Sequence, residues 1–326
     1  MPALTTKGPR PTLPPEHLPR FQLGLLRWFD GKRRELPWRA DREPYHVWIS
    51  EVMLQQTRVA VVRDRYPEFL RRFPSVDQLA AAKVADVLAA WSGLGYYRRA
   101  GALHAAARQL VNQGRGFPQR AEELASLPGV GRYTAAAIAS IAFDQPCAVV
   151  DGNVERVLRR LFGVRERDAW SVAEQLLSRS RPGDFNQAMM ELGAIICLPK
   201  APLCHECPVF AWCRTRAAGT ARRPLSRHKR PIAYRLSVRK QSVFLVQREN
   251  HKSLMPGMWE LPQTHPRAGE PTLRLRHAIT NTDYEVSVYR TTRANGSRGR
   301  WVSLAAAERL PLTGLTQKIL RRSNLI

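Results

Sequence analysis

An all-α domain followed by a smaller α+β domain is the fold class this sequence predicts, and three observations predict it. A glycine turn, Gly129-Val130-Gly131, sits between two stretches of helical composition. Four cysteines crowd into the 17 residues that begin at Cys197. Alternating β-branched and aromatic residues appear only late, over 236–247 and 284–291. Helical periodicity before that point and period-two alternation after it separate the two kinds of element. With 326 residues the chain can bury two cores.

The linear division follows from composition. Residues 1–20, rich in proline and without periodicity, read as a disordered leader. Residues 21–213 form the helical domain, 214–231 (RTRAAGTARRPLSRHKRP) a basic exposed linker, and 232–326 the second domain. Lys plus Arg total 52 against 27 Asp plus Glu, a net charge of +25, so a polyanion is the expected partner. A generally basic proteome would give the same sign. Residues 221–326 hold 21 Lys or Arg and six Asp or Glu, contributing +15 of that charge. No run approaches the length of a membrane span, and the first twenty residues lack the apolar centre of a signal peptide, so the expected setting is cytoplasmic and nucleoid-associated. Five cysteines, four of them clustered, argue against a disulfide framework and for a metal site in a reducing compartment.

Taken in order, FQLGLLRWF from Phe21 reads as helix and runs into a proline-containing loop, ELPWR. There Trp38 and Arg39 suit core and surface as well as the wall of a pocket. In YHVWISEVMLQQT (45–57), Trp48, Ile49, Val52 and Met53 mark one buried helical face. Glu51 lies beside it. A lone Glu there is ordinarily solvated, and it gains meaning only if a second acid can face it. Gln56, at the end of this helix, is a surface amide or one suited to base edges. WSGLGYYRR (91–99) packs glycines, aromatics and cations together, which fits a glycine-broken helix junction and also fits stacking on bases, with Tyr96 at its centre. Gly129 and Gly131 allow a tight turn and close approach of a ligand, and the following helix start offers free N–H groups to a phosphate.

Twenty residues past Gly131, Asp151 falls in the turn before a helix for which Asn153 is the expected N-cap. That position favours an ionised carboxylate. FNQAMMELG (185–193) is another amphipathic helix and carries one acid, Glu191. Cys197, Cys204, Cys207 and Cys213, spaced C-x6-C-x2-C-x5-C, can close on Zn²⁺ or a [4Fe–4S] cluster; a single C-x2-C knuckle in a compact, asymmetric order favours the cluster. Lys200, between the first two cysteines, would present a cation to phosphate.

Together, LPGVGRYTAAAI, VDGNV, SEVMLQQT, GLGYYRRA, FNQAMMELGA and the cysteine spacing resemble the endonuclease III superfamily and, within it, the adenine DNA glycosylase (MutY) family, densely over 21–213. The tail, through FLVQRENHKSLMPGMWELP, resembles that family's Nudix-like domain more weakly. The resemblance implies a six-helix barrel lobe and an iron–sulfur lobe with the site in their cleft. It implies removal of adenine mispaired with 8-oxoguanine or guanine in double-stranded DNA, as a monomer, in base excision repair. By the same resemblance Tyr133 and Asn153 lie near the acids, Gln56 and Tyr96 enter the base stack, and Glu191 approaches the flipped adenine.

The chemistry argues in the same direction. Base removal needs a protonated leaving group and a stabilised sugar cation, the two-carboxylate logic of glycoside hydrolysis. Glu51, among apolar neighbours, would be raised by desolvation and act as general acid, while Asp151 at a helix start stays ionised. Adenine has a basic N7 to protonate and pyrimidines have none, so a dedicated acid argues for a purine. Bifunctional relatives carry a lysine where this chain has Tyr133, which cannot form an imine, so little strand cleavage is expected. Nucleotide hydrolysis is not expected either, because QTHPRAGEPTLRLRH stands where a glutamate-rich Mg²⁺ segment would be. The family's Phe-Ser-His lesion-reading loop matches Ile279-Thr280-Asn281, in which Thr280 and Asn281 would read 8-oxoguanine. Two rival classes are a glycosylase acting on thymine in T:G pairs and a non-catalytic mismatch-binding protein. Glu51 and the second domain speak against the first, and the presence of both acids against the second.

Overall fold

The computed structural model describes residues 13–326 apart from 115, 217–227, 250–254, 266–268, 280–281 and 295–298. Two compact units emerge, one from residues 1–56 and 109–223, the other from 57–108 and 224–326. Residues 57–108, read from sequence as part of the helical domain, thus group with the C-terminal residues. Among the described residues no helix is long and apolar enough to cross a membrane.

The first unit is helical. A 3-10 turn, Pro15–His17, leads into α1 (Leu18–Lys32), so the stretch expected to be a leader already holds a helix start. Pro19 explains the difference, since in the first turn its missing N–H is one that no carbonyl needs. From α1, Phe21 packs against Phe162, Phe185 and Trp212 at 5.5–6.4 Å between ring centroids. Helix α2 (Pro44–Leu54) starts at an N-cap, Glu43, whose carboxylate accepts from the His46 N–H. The single buried face expected for it is too narrow a description, because Tyr45 and every residue from Val47 through Met53 are buried. A helix covered on all sides is a core helix.

In the second unit, α3 (Val59–Arg72), α4 (Val76–Ala81), α5 (Val84–Ala90) and the larger part of α6 (Arg98–Gln113) precede the sheet. The first unit resumes with α7 (Ala121–Leu124), the Gly129 turn and α8 (Arg132–Phe143). It continues through α9 (Gly152–Phe162), α10 (Ala169–Leu176) and α11 (Pro182–Glu191), and α11 runs into a π-helical turn, Leu192–Ile196. The small residues of α8 let α2 and α11 come close. At Gly183 an added Cβ would lie 2.4 Å from the Ser140 carbonyl oxygen.

Among the described residues the sheet has seven strands: β1 (His228–Arg239), β2 (Ser242–Gln247), β3 (Trp259–Glu260), β4 (Gln263–Thr264), β5 (Leu273–Ile279), β6 (Thr282–Thr291) and β7 (Gly299–Ser303). Its order is β3-β2-β1-β6-β5, with β4 on β1 and β7 on β2; β1 and β6 run parallel and the other pairs antiparallel. The last residues of the basic stretch read as linker, 228–231, belong to β1. The run 236–247 read as one strand is two, folded at a two-residue turn where Lys240 takes φ +51°. Helices α12 (Leu304–Ala307) and α13 (Gly314–Arg322) cover the sheet, burying Leu315, Ile319 and Leu320 against Leu236, Val243, Val286 and Val288. Thr280 and Asn281, expected to read the lesion, lie outside the described residues.

Candidate active site

The first unit brings Glu51, Tyr133, Asp151 and Asn153 to one site. Glu51 leaves the middle of α2 and is 5% exposed. The Tyr133 hydroxyl, from the first turn of α8, donates to Glu51 Oε2 at 2.8 Å, and the Met190 sulfur lies 3.3 Å from the same hydroxyl. Burial is the main influence on Glu51 and raises it; the Tyr133 hydrogen bond opposes this, the nearby Asp151 charge adds to it, and the net result is a carboxyl pushed up to about 7. Tyr133 is driven well above the ordinary phenol range, first by burial and then by both acids, so it remains a donor.

Asp151, rather than Asn153, is the N-cap of α9. Its Oδ1 accepts from the N–H groups of Asn153 (2.9 Å) and Val154 (2.7 Å), and its Oδ2 from Asn153 Nδ2 (3.0 Å). Burial raises the Asp151 carboxyl above its ordinary value, and these three donors, with the Arg156 charge, work against that rise. The site therefore sets two acids apart. Glu51 sits among apolar side chains with one hydroxyl for a partner, whereas Asp151 has a full set of N–H donors that favour its ionised form.

Glu191, at the end of α11, is 1% exposed and holds two cations. Arg34 makes a fork to it, Nε to Oε1 at 2.8 Å and Nη2 to Oε2 at 2.7 Å, and adds its backbone N–H at 3.0 Å. Arg39 Nη2 reaches Oε2 at 3.0 Å while its Nε donates to Gln187 Oε1 at 3.2 Å. Burial alone would raise this carboxyl, but the hydrogen bonds from Arg34 and Arg39 hold it at about 2. Arg39 also acts on Glu51, where its charge draws the acid down. Trp38 is buried in the 3-10 turn Pro37–Arg39.

The helix bearing Asp151 is tied to the cysteine segment. Arg156 donates from Nη2 to Asn153 Oδ1 (2.8 Å) and the Gly193 carbonyl (2.6 Å), and from Nε to the Cys197 carbonyl (2.9 Å). Arg160 Nη1 lies 3.3 Å from Cys197 Sγ and donates to the Leu198 carbonyl at 2.6 Å. Gly193 lets the π turn press on α9, since an added Cβ would stand 2.6 Å from Asn153 Cβ. Such turns are enriched at functional sites. All four clustered cysteines, with Val157, Leu161, Leu192 and Ile196, line one cavity, and all are free thiols. Burial first, then the neighbouring Cys197, Cys213 and Cys204, pushes the Cys207 thiol up to about 11, which reflects how closely the four are grouped. They are grouped rather than already closed on a centre, as no metal-ready set of three His, Cys, Asp or Glu exists among the described residues.

The remaining candidates are dispersed. Gln56 is exposed with φ +55°, while its neighbour Gln55 donates to Thr134 Oγ1 at 2.9 Å. Gly129 needs its glycine, at φ +75°; Gly131 is extended, and a Cβ there would meet nothing within 4 Å, so it leaves the uncapped start of α8 open. Lys200 is exposed. Tyr96 belongs to the second unit. Sequence reasoning missed Arg34, Gln187, Met190, Arg156 and Arg160. The spacing of Arg156 and Arg160 by four on one helix face was the available signal; Arg34, third in a basic run, offered none.

Residues 49–182 match the family model described as HhH-GPD superfamily base excision DNA repair protein. The adenine DNA glycosylase of Mus musculus is 50% identical over 212 residues, covering 60% of this chain and 41% of that protein. The adenine DNA glycosylase of Arabidopsis thaliana is 36% identical over 313 residues, 80% of this chain and 50% of that one. That of Buchnera aphidicola subsp. Schizaphis graminum is 34% identical over 257 residues and 74% of each chain. The chain thus spans about two fifths of the mammalian relative's length. Among solved structures, a thermostable thymine-DNA glycosylase superposes with a TM-score of 0.58 at 30% identity, over 62% of this chain and 98% of that one. A non-covalent endonuclease III–DNA complex, at 24% identity and a TM-score of 0.55 over 63% and 98% of the two chains, shares the fold. With a relative matched at this identity over three quarters of both chains, and the two acids, the glycine turn and the clustered cysteines in place, the chain belongs to the adenine DNA glycosylase family of the HhH-GPD superfamily.

Proposed function

We propose that this protein removes adenine from a mispair with 8-oxoguanine or guanine in duplex DNA, by flipping it out and hydrolysing its N-glycosidic bond. One observation carries the reading: a buried carboxyl pushed up to about 7, hydrogen-bonded by a tyrosine and set beside a second acid whose ionised form is favoured by three N–H donors. Glu51 donates its proton to the ring nitrogen of the leaving base. As the bond to C1′ breaks, the electron pair leaves with adenine, and the Asp151 charge stabilises the cationic sugar. Water then adds to C1′ and releases its proton. Tyr133 carries no amine, so no covalent sugar–enzyme imine forms and strand cleavage is slight. The +25 net charge supports DNA as the partner, and we propose that the protein acts on it as a monomer in the cytoplasm, associated with the nucleoid.

Single-turnover base release from duplexes bearing A:8-oxoguanine, A:G, A:C and T:G tests this. Adenine should leave fastest opposite 8-oxoguanine and thymine should stay. Thymine release from T:G, supported by the likeness to the thymine-DNA glycosylase, would overturn the adenine reading. Loss of base release from every duplex would favour the mismatch-binding alternative.

The four cysteines fit a [4Fe–4S] cluster. Apart from the cysteines, their cavity is lined by apolar side chains, Thr215 and Arg160, whose guanidinium at 3.3 Å from Cys197 balances thiolate charge. When bound, such a group would supply four strong iron–thiolate bonds that fix the 197–213 loop, and with it Lys200, against DNA. Anaerobically purified protein should be brown and contain about four irons per chain; stoichiometric zinc in place of iron would reject the cluster. The C-terminal sheet, with GMWELP spanning β3, we read as Nudix-like and as the source of 8-oxoguanine preference.

A further inference from the structure

Between α5 and α6, Gly93 (φ +92°), Gly95 (φ +69°) and Tyr96 (φ +47°) are left-handed. For a tyrosine this conformation is costly and persists only where surroundings impose it. Here they do. Trp91 Nε1 donates to the Gly95 carbonyl at 3.1 Å, and Arg99 Nη2 reaches the Leu94 and Gly95 carbonyls at 3.0 and 3.1 Å. The Arg99 guanidinium also lies 5.4 Å from the Tyr96 ring centre. Consecutive tyrosines then face opposite ways, with Tyr96 42% exposed and Tyr97 4%. An exposed aromatic on a strained turn, with cations beside it on a basic chain, suits stacking on a nucleobase.

The buried half of the loop is fastened to the C-terminal residues. Tyr97 Oη donates to the Leu312 carbonyl at 3.3 Å, and Ser92 Oγ to Gln317 Oε1 at 3.4 Å on α13. Leu312 itself bridges to Trp259, so the acceptor that Tyr97 uses is fixed to the sheet. We propose that Tyr97 and Ser92 are positioning residues through which the sheet domain sets the pose of Tyr96 for stacking on DNA. The inference rests on the DNA-acting reading above but does not depend on base release.

The full chain bearing Tyr97→Phe, Tyr96→Ala, Ser92→Ala, Gln317→Ala or the last two together can be bound to a mispaired duplex carrying 2-aminopurine beside the mispair. Unstacking of that base raises its fluorescence. Tyr97→Phe keeps the buried ring, so its thermal midpoint should stay near that of the parent, while the fluorescence rise falls about five-fold, the scale of one buried hydrogen bond. Tyr96→Ala should abolish the rise. Ser92→Ala and Gln317→Ala should each reduce it and should not add when combined. Should Tyr97→Phe unfold the chain, the Ser92 and Gln317 cycle decides alone. A full rise in Tyr97→Phe, or strict additivity in the cycle, overturns the proposal. A normal Tyr96-dependent rise without adenine release would sink the enzymatic reading and leave this one standing; normal release with unchanged fluorescence would do the reverse.

Discussion

Glu51→Gln is expected to bind mispaired duplex as the parent does while releasing base more slowly by about 10²–10⁴-fold, the range for loss of a positioned proton donor. The amide preserves shape and can still accept from Tyr133, which isolates the proton as the thing lost. The parent's single-turnover rate should fall as pH rises through about 7, because only neutral Glu51 can donate, and it should also fall on strong acidification, where Asp151 loses its charge. The variant's residual rate should lack the alkaline limb. Stability should move the same way. An unfolded Glu titrates near 4.5 and the folded Glu51 near 7, so the folded state holds the extra proton between those values. The parent consequently loses stability as pH rises from 4.5 through 7. By pH 8 the deficit is roughly 3 kcal/mol, which the glutamine variant escapes. Chemical denaturation at pH 4 and pH 8 would measure it. A variant that releases adenine at near-parental rate removes Glu51 from the chemistry.

Glu191 obeys the opposite sign. Arg34 and Arg39 hold its carboxyl at about 2 against the pull of burial. Stability from this group is present above pH 4.5 and lost as pH falls toward 2. Glu191→Gln leaves two guanidinium groups facing a neutral amide, one of them, Arg39, only 12% exposed. Breaking such a pair costs about 3–5 kcal/mol, and the lower end applies here because Arg34 remains partly in water. Denaturation at pH 7 should show a loss of about 3 kcal/mol that shrinks on acidification. A loss below about 1 kcal/mol at pH 7 would mean the fork is a surface-like pair. The variant should also draw the pH limb of catalysis downward, since Arg39, freed of Glu191, weighs more heavily on Glu51.

The two acids were legible because their surroundings are local: apolar neighbours around Glu51 lie within its own helix, and Asp151 stands at a helix start. The cap itself was misassigned by two residues, since Asp and Asn are equally good caps and only the fold chooses between them. Arg34 was illegible because its partner lies 157 residues away and Lys32 and Arg33 offer the same charge. Helix α1 began early because proline at a first turn carries no signal distinct from proline in a loop. The fold at Lys240 was hidden for a related reason, as no glycine or asparagine marks it. The pairing of residues 57–108 with the C-terminal sheet rests on contacts such as Tyr97 to Leu312, which no local pattern announces.

The π turn Leu192–Ile196 closes with the Cys197 N–H donating to the Leu192 carbonyl at 2.7 Å, one residue more than an α turn would use. At 3.6 residues per turn each residue swings the backbone by about 100°. Deleting any one residue of this turn would restore a regular helix and simultaneously rotate Cys197, and all that follows, away from Arg156 while Glu191 stayed in place. Among descendants of this sequence, the half-buried Ala194 and Ile195 therefore have more room to drift than the buried Leu192, Gly193 and Ile196, whereas the length of the turn has none. Insertions and deletions here would be purged even where substitutions accumulate.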